Sequence, residues 1–330
     1  MTHNNFNQKQ SFSVEAKISY SNMIKAEALR LGFSACGIAP AEEINAENKM
    51  FLKEWLVNGY QGSMDYMANN LEKRSDPNLL VEGTKSIVSV ALNYYPQQLL
   101  DDSQYQFAWY AYGKDYHDIM RKKMNELMEY INREIAIVNG RVFCDTAPVL
   151  DRYWAWRAGL GWIGKNTQLI IPKAGSSFFL GELFIDIELA YDTPLKDRCG
   201  NCNRCQQACP TQAFEAPHKL DARKCLSYVT IESREDIPIE LRKKMGNRIY
   251  GCDECLRVCP WTRFAIPCQT TELQPAPEFM QMTREEWHNL SEETYRKLFK
   301  GSAVKRAKYS GLVRNIEAAG YPNNAGANPD

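Results

Sequence analysis

Residues 199–210 read CGNCNRCQQACP, a C-x2-C-x2-C-x3-C-P run. In that spacing three thiolates, Cys199, Cys202 and Cys205, wrap one iron–sulfur cube, and the fourth, Cys209, reaches a second. A partner set follows downstream: Cys225, then Cys252, Cys255 and Cys259, the last again followed by proline, Pro260. Two sets of four, each ending in Cys-Pro, suit two 4Fe–4S clusters. The crossed arrangement of two-cluster ferredoxins gives Cys259 to the first set and Cys209 to the set of Cys225, Cys252 and Cys255. Zinc sites usually come as two separated C-x2-C pairs, often with histidine, whereas a third cysteine follows here at the same spacing. Disulfides would need an oxidising compartment that nothing else in the chain supports.

Outward from the cysteines, the composition is that of an ordinary globular protein, with 44% apolar residues. Forty basic and forty acidic side chains cancel, so no global field draws the chain to nucleic acid or membrane. The N-terminal MTHNNFNQKQSFS lacks the basic and apolar regions of a secretory signal, and no run approaches the roughly 18 apolar residues of a membrane span. Eleven cysteines without an export signal point to a reducing cytoplasm and metal-bound thiolates.

Upstream of the cysteines, hydrophobic periodicity predicts a helix over 14–31 entered at Ser13 and a buried strand over 34–40. It predicts helical pieces at 49–57 and 62–72, a central strand at 86–96 and a long amphipathic helix over 115–138 ended by Gly140. A strand at 141–146 follows, then one strand, or a hairpin bent at Gly181, over 176–189. The fold expected is α+β or α/β: a first domain with a mixed sheet and helices at 13–192, then a ferredoxin-like two-cluster domain at 193–267. A helical, basic C-terminal segment occupies 268–330, with residues 1–12 disordered and the last ten frayed.

A second dense stretch, DTAPVLDRYWAWRAGLGWIGKNTQ, spans 145–168. Asp145 follows a strand, at the sheet edge where ligands of α/β folds commonly sit. Gly159, Gly161 and Gly164 permit positive φ and close backbone approach, and Lys165, Asn166 and Thr167 follow as donors suited to a phosphate or amide. It is neither a Walker loop nor a dinucleotide fingerprint. A glycine-rich ligand loop and a tight structural turn both remain open. Cys36, Cys144 and Cys268 have no role beyond that of buried structural thiols.

With both stretches in hand, the chain resembles the epoxyqueuosine reductases, cobalamin-dependent iron–sulfur enzymes of tRNA queuosine synthesis. The resemblance covers about residues 15–320 and is carried by GSMDYM (62–67), YGKDYH (112–117), residues 145–167, CGNCNRCQQACPTQAF (199–214), DARKCLSYVTIE (221–232), MGNRIYGCDECLRVCPW (245–261) and GSAVKRAKYSGLVRN (301–315). It implies two-electron reduction of the epoxide on the modified base at the tRNA wobble position (34), leaving a cyclopentene and water. It implies that Asp145 is the general acid and also borders the cobalamin, that Arg152 and the loop of Gly164, Lys165, Asn166 and Thr167 contact the corrin, and that the clusters relay electrons. An epoxide oxygen leaves poorly without a proton, so the acid must be in reach. For Asp145 to hold that proton its pKa would have to rise from about 4, through burial that a nearby Arg152 would oppose. Arg152 is therefore expected to face the cofactor and not the Asp145 carboxyl.

The D-x-H-x-x-G motif, whose histidine ligates cobalt in many B12 proteins, is broken: Asp115 and His117 begin it, but Met120 takes the glycine position. This agrees with the base-off, histidine-free cobalamin that the resemblance implies. Seven basic residues and no acidic one lie between Arg296 and Arg314. With Tyr295, Phe299 and Tyr309 interleaved, they suit phosphate contact and base stacking, and Lys305, Arg306 and Arg314 are the expected tRNA contacts. The other partner expected is a small flavodoxin- or ferredoxin-like electron donor, with no membrane and a monomeric chain. Two other readings compete: a corrinoid reductive dehalogenase, usually exported and using a tyrosine acid, and a non-enzymatic ferredoxin-type carrier, which would leave residues 145–168 idle.

Overall fold

A computed structural model describes residues 12–320. The expectations for residues 1–11 and 321–330 lie outside the described residues. Phe12 is ordered, its ring edge-on to Tyr20 with centroids 5.0 Å apart.

Helix α1 (Val14–Arg30) starts where Ser13 accepts the amide of Ala16, a side-chain cap at 3.2 Å. Four strands form the central sheet: β1 (Ala35–Pro40), β2 (Ser86–Asn93), β3 (Gly140–Phe143) and β4 (Phe178–Ile185), in the order β1-β2-β4-β3. Every pairing is antiparallel. The sheet is therefore not mixed, which makes the architecture α+β. No hairpin breaks β4 at Gly181. That glycine instead lets helix α2 (Tyr116–Glu134) lie close, since a Cβ there would come within 2.6 Å of the Met124 sulfur. Helix α2 stops at Ile135, because Gly140 already belongs to β3.

Strand alternation divides the core in two. Phe179, Leu183 and Ile185 face Ile24, Met120, Met124, Leu127 and Ile131 on α1 and α2. The spacing of four, three and four along α2 keeps its apolar residues on one stripe, and each buried side chain contributes about 1.5–3 kcal/mol of transfer free energy. Phe178, Leu180 and Phe184 face the other way, onto helix α3 (Asp151–Arg157) with Trp154 and Ala155. Residues 62–72 hold only a short 3-10 turn at Asp65–Met67 before a helix at Leu71–Ser75.

The cysteine module and the C-terminal segment share a core. Helix α4 (Lys308–Ala319) packs Leu312 and Ile316 with Phe107, Trp109, Tyr250, Phe279, Trp287 and Phe299. Asn315, fully buried, donates to the carbonyls of Thr230 and Ile249, both at 2.8 Å. Residues 268–320 are thus not a free tail. The strand pair Arg248–Tyr250 and Gln106–Phe107 joins the module to the first domain as well.

Candidate active site between the Asp145 loop and the cysteine module

Asp145 sits two residues past the end of β3 with φ +57°, a left-handed conformation that aspartate tolerates. Its side chain is 63% exposed, so the buried carboxyl expected from the sequence is not what the fold presents. The hydroxyl of Tyr116 donates to its Oδ2, and Nε2 of His117 lies 3.7 Å from the same oxygen. Tyr116 is clamped between Phe179 and His117, with ring centroids 4.1 Å away on each side. Burial and the neighbouring Asp145 carboxylate push the Tyr116 phenol far up, so it stays a donor. Asp115 accepts from Nδ1 of His117 at 2.6 Å; this bond raises the imidazole's pKa and lowers that of Asp115. His117 therefore belongs to the site and not to the helix start alone.

Arg152 makes no ion pair with Asp145; its guanidinium donates to the carbonyl of Thr167 at 2.9 Å. Thr167 itself has φ +65°, which is costly for a β-branched residue and is strain of the kind kept at functional sites. Cys144 is buried and its thiol is pushed up by desolvation, which makes it inert.

The loop residues divide differently from the expectation. Among Gly159, Gly161 and Gly164, only Gly159 has a positive φ. A Cβ on Gly161 would meet the Ile170 carbonyl oxygen at 2.3 Å, and one on Gly164 would meet the Ile170 side chain at 2.5 Å. Their space is filled by the chain's own hairpin, Trp162–Ile163 paired with Leu169–Ile170. The glycines at 161 and 164 thus serve a tight turn. Lys165 donates to the carbonyls of Gly200 (2.6 Å) and Cys202 (3.0 Å), and Asn166, 2% exposed, reaches the carbonyl of Cys255 at 3.3 Å. Both side chains are spent on the cysteine loops and are not free ligand donors. The hairpin tip thus bridges the two cysteine sets to Arg152, seven residues from Asp145.

All eleven cysteines are free thiols. Cys205 lies near Cys199, Cys202 and Cys259, Cys225 near Cys209, and Cys255 near Cys225 and Cys252, with Cys205 of the other set also in range. The neighbourhoods follow the crossed sets. Among the described residues no three His, Cys, Asp or Glu side chains converge closely enough to hold a single ion. The cysteine spacing, with a third cysteine at the same interval, suits a cube better than zinc. The buried indole N–H of Trp162 lies against Cys199 and has no oxygen acceptor.

The exposed Asp145 carboxyl and the Arg152–Thr167 contact leave a polar face that a corrinoid could meet. Two surface clefts, one bordered by Trp109, Cys252 and Asp253 and the other by Tyr112 and Phe299, both lie away from Asp145. Asp145, Thr167 and Arg152 lie beside the hairpin tip of Gly164, Lys165 and Asn166.

Comparison with known proteins matches this geometry. Residues 198–262 fit the model described as "4Fe-4S double cluster binding domain", and residues 74–146 the model "Epoxyqueuosine reductase QueG, DUF1730". An epoxyqueuosine reductase of Cellulophaga algicola is 46% identical over 92% of this chain and 99% of its own. The chain belongs to the epoxyqueuosine reductase family. Its Escherichia coli relative of the same name is 40% identical over 90% of this chain and 79% of its own. Among solved structures, an epoxyqueuosine reductase with an epoxyqueuosine-modified tRNA stem loop superposes with a TM-score of 0.84 at 30% identity, covering 91% of this chain and 80% of that one. A Bacillus subtilis epoxyqueuosine reductase, solved with its catalytic aspartate loop swung out of the active site, gives 0.83 at 29%, covering 91% and 81%. Membership in this family removes both the dehalogenase and the carrier readings, and it places 4Fe–4S binding in residues 198–262.

Tyr116, Asp151 and Glu182 have no role in the sequence reading, which weighs His117 equally as a helix-start and a functional residue. The YGKDYH motif contains Tyr116 and His117. Glu182, 0% exposed, is a lone acid in the apolar strand FFLGELFI, and that was a readable signal.

The basic segment is partly re-assigned. Tyr295 and Phe299 lie in the aromatic core and Tyr309 donates to the Leu290 carbonyl, so these rings are not offered for base stacking. Arg314 is spent on the carbonyls of Val229, Ser233 and Glu235 and on Asn315, which takes it off the tRNA surface. Arg306 pairs with Glu232 through two hydrogen bonds, at 2.9 and 2.6 Å, with its guanidinium 5.9 Å from the Tyr66 ring. Lys305 is exposed. No helix among the described residues is long and apolar enough to cross a membrane.

Proposed function

We propose that this chain reduces epoxyqueuosine to queuosine at the wobble position of tRNA, with two 4Fe–4S clusters, cobalamin and Asp145 as proton donor. The observation that carries this reading is the Tyr116–Asp145–His117–Asp115 array lying one hairpin away from two sets of four thiols. Opening the epoxide and expelling its oxygen as water consumes two electrons and two protons, so a relay and an acid must meet at one place. Bound cobalamin would supply the two-electron chemistry at carbon, with Arg152 and Thr167 beside it. Asp145 gives its proton to the oxygen as the C–O bond opens. The Tyr116 hydroxyl occupies Oδ2 and leaves the other oxygen to the substrate. His117, whose pKa the hydrogen bond to Asp115 raises, faces the carboxylate that results and is placed to return a proton to it. Cover for the exposed carboxyl comes from the substrate base seated over it. The Bacillus subtilis relative also carries its catalytic aspartate on a loop.

Cys199, Cys202, Cys205 and Cys259 would hold one cluster, and Cys209, Cys225, Cys252 and Cys255 the other. The thiolates suit a reducing cytoplasm, and a small flavodoxin- or ferredoxin-like protein would deliver the electrons to a monomeric chain. Among the basic residues Lys305 is the one offered to phosphate, with Arg306 beside the Asp145 face. The test is anaerobic turnover: chain reconstituted with iron, sulfide and cobalamin, given a chemical reductant and an epoxyqueuosine-containing stem loop, followed by nucleoside mass spectrometry. Loss of one oxygen from the modified base is expected. Reduction of a halogenated phenol, with the stem loop untouched, would overturn the reading.

A further inference from the structure

Beneath the Asp145 loop lies a buried acid pair that the proton transfer above does not use. Glu182, in the middle of β4, is 0% exposed, flanked in register by Phe143 and Ser89. Neither of its carboxyl oxygens has an N–H or O–H donor among the described residues. Beyond burial, the neighbouring charge that raises its pKa most is the carboxyl of Asp151, the first residue of α3. Two ionised carboxylates cannot bond to each other; one proton between them satisfies both, and a buried ion pair of like sign without it is prohibitive. The Asp151 carboxyl has a second partner: its Oδ1 accepts the backbone N–H of Asp145 at 3.4 Å.

We propose that Asp151 and Glu182 are positioning residues, a one-proton latch that holds the Asp145 loop in its left-handed conformation and releases it when the shared proton is lost to solvent. This rests on Asp145 being the acid. The pair titrates as a unit: burial pushes Asp151 up to about 6 and Glu182 well above its ordinary range, with Asp145 adding to both. Other charges face it. Arg74 and Arg152 oppose the rise, and Cys144 stays neutral. A glutamine at 182 would fill the same space at no ionisation cost, so a carboxyl kept there argues for use rather than for stability.

The test is hydrogen exchange of the peptide spanning 144–151, corrected for the intrinsic rate, across neutral to alkaline pH, in the wild-type chain and in Glu182→Gln. In the wild type the corrected rate should climb about tenfold per pH unit once the pair titrates. In Glu182→Gln the amide donates to Asp151 at every pH, so the rise should vanish. Asp151→Ala, its fold checked by circular dichroism, should exchange fast at all pH values. A Glu182→Gln profile that tracks the wild type, or an Asp151→Ala loop as protected as the wild type's, overturns the latch. Exchange is read on the cofactor-loaded chain without substrate, so these outcomes stand whatever the enzyme reduces.

Discussion

At the residue scale the site is a problem of keeping one proton on an exposed carboxyl. Asp145→Asn keeps the shape and loses the acid, so kcat should fall by about 10²–10⁴, with the cobalamin and cluster spectra unchanged; an unchanged kcat would remove Asp145 from the chemistry. The Asp115–His117 pair makes a second, independent prediction, and its sign follows from the two shifts. The His117 pKa is raised, so its contribution to stability is complete below the unfolded value of about 6.5 and fades as pH rises through the folded value. The Asp115 pKa is lowered, so its contribution is present above about 3.9 and fades as pH falls. Unfolding midpoints should therefore show Asp115→Asn destabilising most between those limits, and NMR titration should find His117 more acidic in the variant. An imidazole that titrates identically with and without Asp115 would mean the 2.6 Å bond does not persist in solution.

At the element scale, what aims Asp145 is the seating of α3 on the sheet. Gly37 in β1 sets that seating, because a Cβ there would come within 2.0 Å of the carbonyl oxygen of Ala158, just past the end of α3. Backbone cannot retreat as a flexible side chain can. Gly37→Ala should cost roughly 1–3 kcal/mol, seen as a lower midpoint in chemical denaturation, whereas Gly181→Ala, opposed only by methionine side-chain atoms, should cost less. Equal costs would show that α3 shifts freely. The same contrast explains what the sequence disclosed. The stripe of Met120, Met124, Leu127 and Ile131 and the β-branched run of β2 are local patterns, so α2 and the strands were legible. The antiparallel order was not, since pairing partners are chosen by contacts between segments far apart in the chain. Nor was the fate of Lys165 and Asn166: a lysine and an asparagine after glycines look the same whether they meet a ligand or the carbonyls of Gly200 and Cys255.

At the scale of the whole molecule, the two cysteine sets, the hairpin tip at 164–168 and α4 form one body, stitched by Lys165, Asn166 and Asn315. Under the crossed assignment each set would borrow its fourth ligand from the other stretch, which would make the cysteine module a single unit. Pairs of substitutions can tell it from the uncrossed alternative, in which the Cys199–Cys209 stretch would hold one cluster unaided. Cys209 and Cys225 face each other and belong to one set if the ligands cross, so the double variant Cys209→Ser, Cys225→Ser should keep about half the iron and a spectrum of one intact 4Fe–4S centre. Cys205 and Cys209, four residues apart in the same run, then serve different clusters, and Cys205→Ser, Cys209→Ser should damage both. Uncrossed ligation reverses the pattern: the neighbouring pair would spare one cluster and the distant pair would strike two. Iron content with low-temperature electron paramagnetic resonance of the reduced protein separates these outcomes. Either variant that keeps one centre should still fail at turnover, since removing one cube from a serial relay stops electrons as completely as removing both.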